Sequence, residues 1–145
     1  DRVRNRDASR LWWALNYYGH SRVSVLNGGW KKWVSENRAQ EHGSGLRPIP
    51  KAFHPLINDL IQSDVTKLTM AIDDPDALIW DIRAIDEFTG ENSRGNQRVG
   101  HVPGALHLEW VDLVDEKDHT FLAADAMQEK LNSAGITKDK SVHIY

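Results

Sequence analysis

The sequence predicts an α/β fold in which helices flank a parallel sheet, and three features indicate it. Four apolar residues in a row, from Ala77 to Trp80, lie between turn residues, as in a strand buried on both faces of a parallel sheet. A helix is predicted before this strand, where Val65, Leu68 and Ile72 recur at helical spacing, and another after it, from about Ala124 to Ser133. Helices that alternate with short strands are typical of α/β domains.

The first predicted element is a helix of about three turns, with Asp7 as its N-cap and Gly19 and His20 as its stop. Its apolar residues recur at helical spacing: Leu11, Leu15 and Tyr18. Trp12 and Trp13 are adjacent, and adjacent residues lie about 100° apart on a helix. Both rings can be buried only if the helix is covered on more than one side, so we expect a deeply packed helix.

A strand, a turn and a second helix are predicted next. Residues 23–26 are rich in β-branched side chains, and residues 27–29, Asn-Gly-Gly, supply a turn that tolerates positive φ. The helix after this turn has apolar residues at i, i+3 and i+4: Trp30, Trp33 and Val34. The tryptophans on predicted buried faces are expected in the core: Trp12, Trp30, Trp33 and Trp80.

A long irregular segment divides the sequence. Residues 37–55 are rich in proline, glycine and polar residues and are too long for an ordinary connection inside a compact unit. We therefore predict a first domain at residues 1–36, an inter-domain linker at residues 37–63 and a second domain at residues 64–145.

The second domain begins with a helix capped by Asp64, which stops at residues 73–75, Asp-Asp-Pro. A second strand is predicted from Ala105 to Leu108, Gly135 ends the second helix, and a last buried strand spans Ser141 to Tyr145. A chain end directly after a buried parallel strand is unusual, because such strands normally lead into a helix or loop. We expect this sequence to be part of a longer protein.

Composition narrows the function classes. The 145 residues include 18 Lys and Arg against 21 Asp and Glu, for a formal charge of −3, and contain no cysteine. A near balance of charge argues against a nucleic-acid or anionic-membrane partner, and no apolar run approaches the ~20 residues of a membrane span. The absence of cysteine excludes disulfides, thiolate metal sites and a thiol nucleophile within these residues. We expect a soluble, cytoplasmic protein without a membrane or nucleic-acid partner.

Two groups of motifs together resemble the rhodanese family of sulfurtransferases, in the tandem two-domain form that includes thiosulfate and 3-mercaptopyruvate sulfurtransferases. The first group is WWAL, YYGH and VLNGGW, at residues 12–15, 17–20 and 25–30. The second group is LIWDIR, EFTG and GHVPGA, at residues 78–83, 87–90 and 100–105. The resemblance implies a rhodanese-like α/β fold, with the end of a first, non-catalytic domain followed by the start of a second, catalytic one. One departure is Gln97, where the family often has an aromatic residue.

The resemblance implies transfer of a sulfane sulfur from a small anionic donor, thiosulfate or 3-mercaptopyruvate, to a thiol or cyanide acceptor through a cysteine persulfide. The family's nucleophile directly follows the last strand, so the cysteine is expected immediately after Tyr145 and no catalytic residue lies in this chain. No cofactor and no metal are implied. Two alternatives stay open: a non-catalytic rhodanese-like module that binds an anion or a partner protein, and a purely structural or regulatory fragment.

Two arginines are the candidate substrate-binding residues. By resemblance, mercaptopyruvate-type members have an arginine seven residues before the motif's histidine, and here that residue is Arg94, before His101. Arg98 lies in the same loop, and a guanidinium pairs well with a carboxylate or sulfonate; the alternative is a solvated arginine in a polar loop. A second family arginine is replaced by Glu87, and a carboxylate there would repel an anionic donor.

Three residues are expected to support the site: Asp81, Arg83 and His101. Asp81 and Arg83 lie at the carboxyl edge of the predicted sheet, where ligand sites collect, but an ion pair that anchors a loop is the favoured interpretation. His101 and His107 have no third metal ligand in view in the sequence. We therefore expect His101 to fix the loop by hydrogen bonding.

Overall fold

The structure is a computed structural model that describes residues 3–145, and these residues form two compact units. The N-terminal unit comprises the chain up to residue 62 together with residues 116–120. The C-terminal unit comprises residues 63–115 and 121–145. No helix within the described range is long and apolar enough to cross a membrane.

The N-terminal unit contains two helices, α1 (Arg6–Tyr17) and α2 (Gly29–Ser35), and a short 3-10 turn at Asp59–Ile61. The prediction of Asp7 as the N-cap is wrong. The cap is Asn5, whose left-handed backbone (φ 64°) is one that asparagine tolerates, and whose carbonyl accepts the first helical bond from the Ser9 amide (2.8 Å). Asp7 instead lies in the first turn, where its charge complements the helix dipole.

The predicted ends and turns around these helices are confirmed. Gly19 follows α1 with φ 85°, and a Cβ there would approach the Leu56 carbonyl oxygen to 2.8 Å, so glycine is required. Gly28 caps α2 in the left-handed region (φ 83°), within the predicted turn.

Two predictions for this unit are wrong. Residues 20–26 form no strand, because a strand needs the hydrogen bonds of a neighbour and this unit has no strand within its described residues. Helix α1 has no buried residue, and Trp12, Trp13 and Trp30 are each about two-fifths exposed, since no sheet of the unit covers them. The Trp13 ring is fixed by one hydrogen bond, in which its Nε1 donates to the Ile61 carbonyl (3.1 Å).

The C-terminal unit contains the helices and strands that the sequence predicted, and one further short helix at Ile85–Thr89. Its helices and strands are α3 (Val65–Ala71), β1 (Ala77–Asp81), α4 (Ile85–Thr89), β2 (Leu106–His107), α5 (Ala124–Ser133) and β3 (Ser141–Ile144). The Asp64 side chain caps α3 by accepting from the Lys67 amide (2.8 Å), as expected. The three strands form a parallel sheet in the order β2-β1-β3, which confirms the α/β class.

The core of the C-terminal unit lies around the central strand. The buried apolar side chains of the described chain are Ala71, Leu78, Ile79, Val114 and Ile136. The prediction that the last strand is buried is wrong. β3 is an outer strand of the sheet, and its Val142 and Ile144 side chains are 37% and 52% exposed. The central strand β1 is therefore buried, and the loops that follow β1 and β2 start from this fixed part of the unit.

Candidate functional site

The carboxyl ends of the three parallel strands meet at one edge of the sheet. Asp81 at the end of β1 pairs in register with His107 at the end of β2. Tyr145 continues the pairing beyond β3: its amide donates to the Trp80 carbonyl (3.1 Å), and its carbonyl accepts from the Ile82 amide (3.2 Å). Ligand sites of parallel sheets collect at such edges. We call the group formed by Asp81, Arg83 and Tyr145 the edge cluster.

Asp81 and Arg83 form an ion pair at the base of the edge cluster. Arg83 Nε lies 3.0 Å from Asp81 Oδ1 and Nη2 lies 2.5 Å from Oδ2, and the Arg83 amide also donates to Oδ1 (3.0 Å). Asp81 is fully buried, which raises the pKa of its carboxyl, but hydrogen bonds from Arg83 and Tyr145 outweigh burial and hold that pKa below its usual value. The carboxylate is therefore charged and fully paired at neutral pH.

Tyr145 links this ion pair to the loop at residues 100–104. Its hydroxyl oxygen accepts from the Val102 amide (2.9 Å), and the Arg83 guanidinium carbon lies 5.3 Å from the centre of its ring. Arg83 Nη2 donates to the Gly100 carbonyl (2.9 Å), so the loop is held at two points. Burial, and the hydrogen bond with Asp81, raise the pKa of the Tyr145 phenol.

Two histidines flank the Phe88 ring beside this loop. His101 stacks on Phe88 with 3.8 Å between ring centres, and its Nδ1 lies 2.8 Å from the Phe88 carbonyl. Nε2 of His107 lies 2.9 Å from the Arg83 carbonyl. A carbonyl only accepts, so these nitrogens carry the protons. Within residues 3–145, no three His, Cys, Asp or Glu side chains are grouped so that they could hold a metal ion.

Arg94 and Arg98 form no hydrogen bond or ion pair with the described residues of the edge cluster. Arg94 Nε lies 3.3 Å from Glu87 Oε2, and the Glu87 side chain is only 18% exposed against 56% for Arg94. The Arg94 amide donates to Asn92 Oδ1 (3.0 Å), which fixes a backbone with φ 49°. The side chain of Arg98 is exposed and makes no hydrogen bond or ion pair within the described part of the chain.

The pairing of Glu87 with Arg94 changes the expected electrostatics. Glu87 alone would repel an anionic donor, but beside Arg94 its charge is balanced by a guanidinium. The Arg94 side chain is more than half exposed, so solvent and a second anion can reach its guanidinium beside Glu87. The arrangement therefore leaves one exposed cation, Arg98, and one partly neutralised cation, Arg94, in the same loop.

Sequence reasoning missed Tyr145 and Phe88 as members of this site. A signal for Tyr145 is available in the sequence, because the residue after a parallel strand lies at the same sheet edge as Asp81. Phe88 has no comparable signal, since its stacking on His101 depends on the path of the connecting loop.

No protein-family model matches this chain. The sulfur carrier protein TtuD of Thermus thermophilus is 30% identical over 148 residues, which cover 95% of this chain and 52% of that protein. The 3-mercaptopyruvate sulfurtransferase of Escherichia coli K12 is 31% identical over 137 residues, or 93% of this chain and 48% of that protein. A crystal structure of the Escherichia coli 3-mercaptopyruvate sulfotransferase, described as having a "rhodanese" fold, superposes with a TM-score of 0.84 at 28% identity and covers 99% of this chain and 53% of that chain. The chain spans about half the length of the curated relatives it matches.

Proposed function

Because this chain has the rhodanese fold and is homologous to the rhodanese-type sulfurtransferases, we propose that its protein transfers a sulfane sulfur through a cysteine persulfide. The donor is thiosulfate or 3-mercaptopyruvate, the acceptor is a thiol or cyanide, and the cysteine directly follows Tyr145. The observation that supports this best is the edge cluster, since it fixes Tyr145 by both backbone and side chain at the carboxyl edge of the sheet.

The chemistry requires a thiolate at this edge. The thiolate attacks the outer sulfur of thiosulfate, the S–S bond of the donor breaks, and sulfite leaves with the bonding electron pair. With 3-mercaptopyruvate the C–S bond breaks instead, and the thiol proton of the donor ends on the methyl group of pyruvate. Cyanide or a thiolate then attacks the outer sulfur of the persulfide, which regenerates the cysteine thiolate and releases thiocyanate or a new persulfide.

The site residues have separate roles in this proposal. Arg94 and Arg98 bind the carboxylate or sulfonate group of the donor, and the Glu87 partner of Arg94 limits the positive charge that the donor meets. Asp81, Arg83 and His101 support the site: the ion pair and the His101 bond to Phe88 hold the loop that faces the sheet edge.

The proposal extends to the domain organisation. Residues 1–36 are the C-terminal part of a first, non-catalytic rhodanese-like domain, residues 37–63 are a linker, and residues 64–145 are the N-terminal part of the catalytic domain. The boundary between the two compact units after residue 62 supports the start of the second domain at residue 64, while residues 37–62 and 116–120 group with the N-terminal unit.

The experiment compares this chain with a protein extended past Tyr145. Thiocyanate formation from thiosulfate and cyanide, and pyruvate formation from 3-mercaptopyruvate, are measured on both. We expect turnover only in the extended protein, and its loss when the cysteine after Tyr145 is changed to serine. No turnover by the extended protein with either donor contradicts the proposal, and a residue other than cysteine at that position favours the non-catalytic module.

The donor-binding roles are tested separately with Arg94→Ala and Arg98→Ala in the extended protein. A hydrogen bond to a charged group contributes about 1.5–3 kcal/mol, so each variant is expected to raise the donor KM about tenfold or more with a smaller change in kcat. Arg22→Ala is the matched control, because Arg22 is exposed and lies in the N-terminal unit. An unchanged KM in both loop variants contradicts the assignment.

A further inference from the structure

Tyr145 is bound on both its backbone and its side chain. Its amide and carbonyl pair with Trp80 and Ile82 at 3.1 and 3.2 Å, so its Cα is fixed against the central strand. Its hydroxyl accepts from the Val102 amide at 2.9 Å, and the Arg83 guanidinium lies over its ring. The residue is therefore held by β1 and by the loop at residues 100–104 together.

The hydroxyl group has a purpose that a phenylalanine could not serve. The backbone amide of Val102 donates to the Tyr145 hydroxyl, and the Arg83 guanidinium that pairs with the buried Asp81 lies over the Tyr145 ring. A phenylalanine would fill nearly the same volume but would leave the part-buried Val102 amide without this acceptor, and loss of a hydrogen-bond partner away from water is costly. The Tyr145 side chain therefore joins the Arg83–Asp81 ion pair to the loop at residues 100–104, through its contact with the Arg83 guanidinium and its hydrogen bond with Val102.

The position of Tyr145 fixes the position of whatever follows it, because consecutive Cα atoms are about 3.8 Å apart across a trans peptide. Reaction rates are sensitive to such placement: a shift of about 1 Å in a reacting group can cost about a hundredfold in rate. We infer that Tyr145 is a positioning residue for sulfur transfer, which holds the first residue of the nucleophile's loop in register with the loop at residues 100–104. This inference rests on the proposed function.

The test uses the full-length protein with Tyr145→Phe, which retains the ring but removes the hydroxyl. We expect kcat for sulfur transfer from thiosulfate to cyanide to fall about tenfold, while the KM for thiosulfate stays within about twofold because the donor-binding arginines are untouched. Hydrogen exchange at the Val102 amide is expected to accelerate in the variant, since its acceptor is gone.

Two control variants separate positioning from general stability. Tyr18→Phe makes the same chemical change at a tyrosine that is 44% exposed in the N-terminal unit, and it is expected to change neither kcat nor the melting temperature. Ile136→Val removes a methylene from a buried side chain of the C-terminal unit. It is expected to lower the melting temperature without lowering kcat.

The outcomes distinguish this inference from the proposed function. If the wild-type protein turns over either donor but Tyr145→Phe keeps its kcat within twofold, the inference is overturned and the proposed function stands. An equal fall in kcat for Ile136→Val at an equal loss of melting temperature also overturns it, since the effect is then one of stability. Absence of turnover in the wild-type protein with both donors overturns the proposed function and the inference with it.

Discussion

The two units of the chain differ in how their apolar residues are used. Every buried apolar side chain of the described residues belongs to the C-terminal unit, where three parallel strands share a central strand. Among the described residues of the N-terminal unit, Asn5, Gly28 and Gly29 are the buried ones, while Trp12 and Trp30 are exposed. Helices form from local spacing, caps and turns, whereas a core needs a sheet or a second layer on which the apolar face can pack.

The largest expected effect comes from an apolar truncation made once in each unit. Ile79 on β1 is 3% exposed and Leu11 on α1 is 63% exposed. Ile79→Ala should lower the free energy of unfolding by about 3 to 4 kcal/mol, from lost burial and the cavity left behind, and Leu11→Ala by no more than about 0.5 kcal/mol. Urea unfolding followed by hydrogen exchange of the β1 and α1 amides measures both, and equal losses would remove the contrast between the units.

The next effect concerns the buried charge of the C-terminal unit. Asp81→Asn removes the charge that pairs with Arg83, whose side chain is 29% exposed, so we expect a loss of about 2 kcal/mol at pH 7, below the range for fully buried pairs. Asp76→Asn is the control, because its carboxylate is 90% exposed and 3.7 Å from Lys140. The measurement is the urea midpoint of each variant against the wild type.

Asp81→Asn also tests how the free energy of unfolding depends on pH. Burial raises the pKa of Asp81, but the bonds from Arg83 and Tyr145 leave it below the unfolded value of about 3.9. A lowered folded pKa contributes stability that is complete above the unfolded pKa and is lost as the pH falls through the folded pKa. The wild type should therefore lose stability below about pH 4, and Asp81→Asn should show a shallower loss. An equal acid slope in the two proteins would contradict the assignment.

The smallest effect is expected in the N-terminal unit, at the ion pairs of Lys32 with Asp118 (3.1 Å) and Glu36 (3.3 Å). These side chains are about one-third exposed, and the pKa of Asp118 is lowered first by the hydroxyl and amide of Thr120 and only then by Lys32. Lys32→Ala should shift the urea midpoint only slightly at low salt, and the shift should shrink further at high salt. Lys51→Ala, at an exposed lysine, is the control; a shift as large as that of Ile79→Ala would contradict this ranking.

The sequence predicted the elements with strong local signals. Helix α5 has the bounds expected from its periodicity, and Asp64 caps α3 as expected. The strand expected at residues 23–26 is absent. β-branched residues favour extended backbone, but a strand forms only where a neighbouring strand accepts and donates its hydrogen bonds. The exposure of β3 likewise depends on which strands neighbour it, and that information is non-local.

The site was predictable where residues are close in the chain. Asp81 and Arg83 are two positions apart at a strand end, so their contact follows from local geometry. The Glu87 contact with Arg94 depends on the path of the loop between them, and the Tyr145 contact with Val102 depends on the register of β3 against β1. Long-range register and loop path are set by packing and cannot be read from spacing.

The most direct test of the central claim is the mass of the peptide that follows Lys140 after the extended protein has reacted with thiosulfate. Trypsin cleaves after Lys140, so this peptide begins at Ser141 and includes Tyr145 and the residue after it. Rhodanese-type transfer predicts a mass increase of one sulfur atom on that peptide, located at the cysteine after Tyr145 and removed by cyanide with release of thiocyanate. An unmodified peptide in a protein that is folded and exposed to excess thiosulfate and 3-mercaptopyruvate would contradict the account.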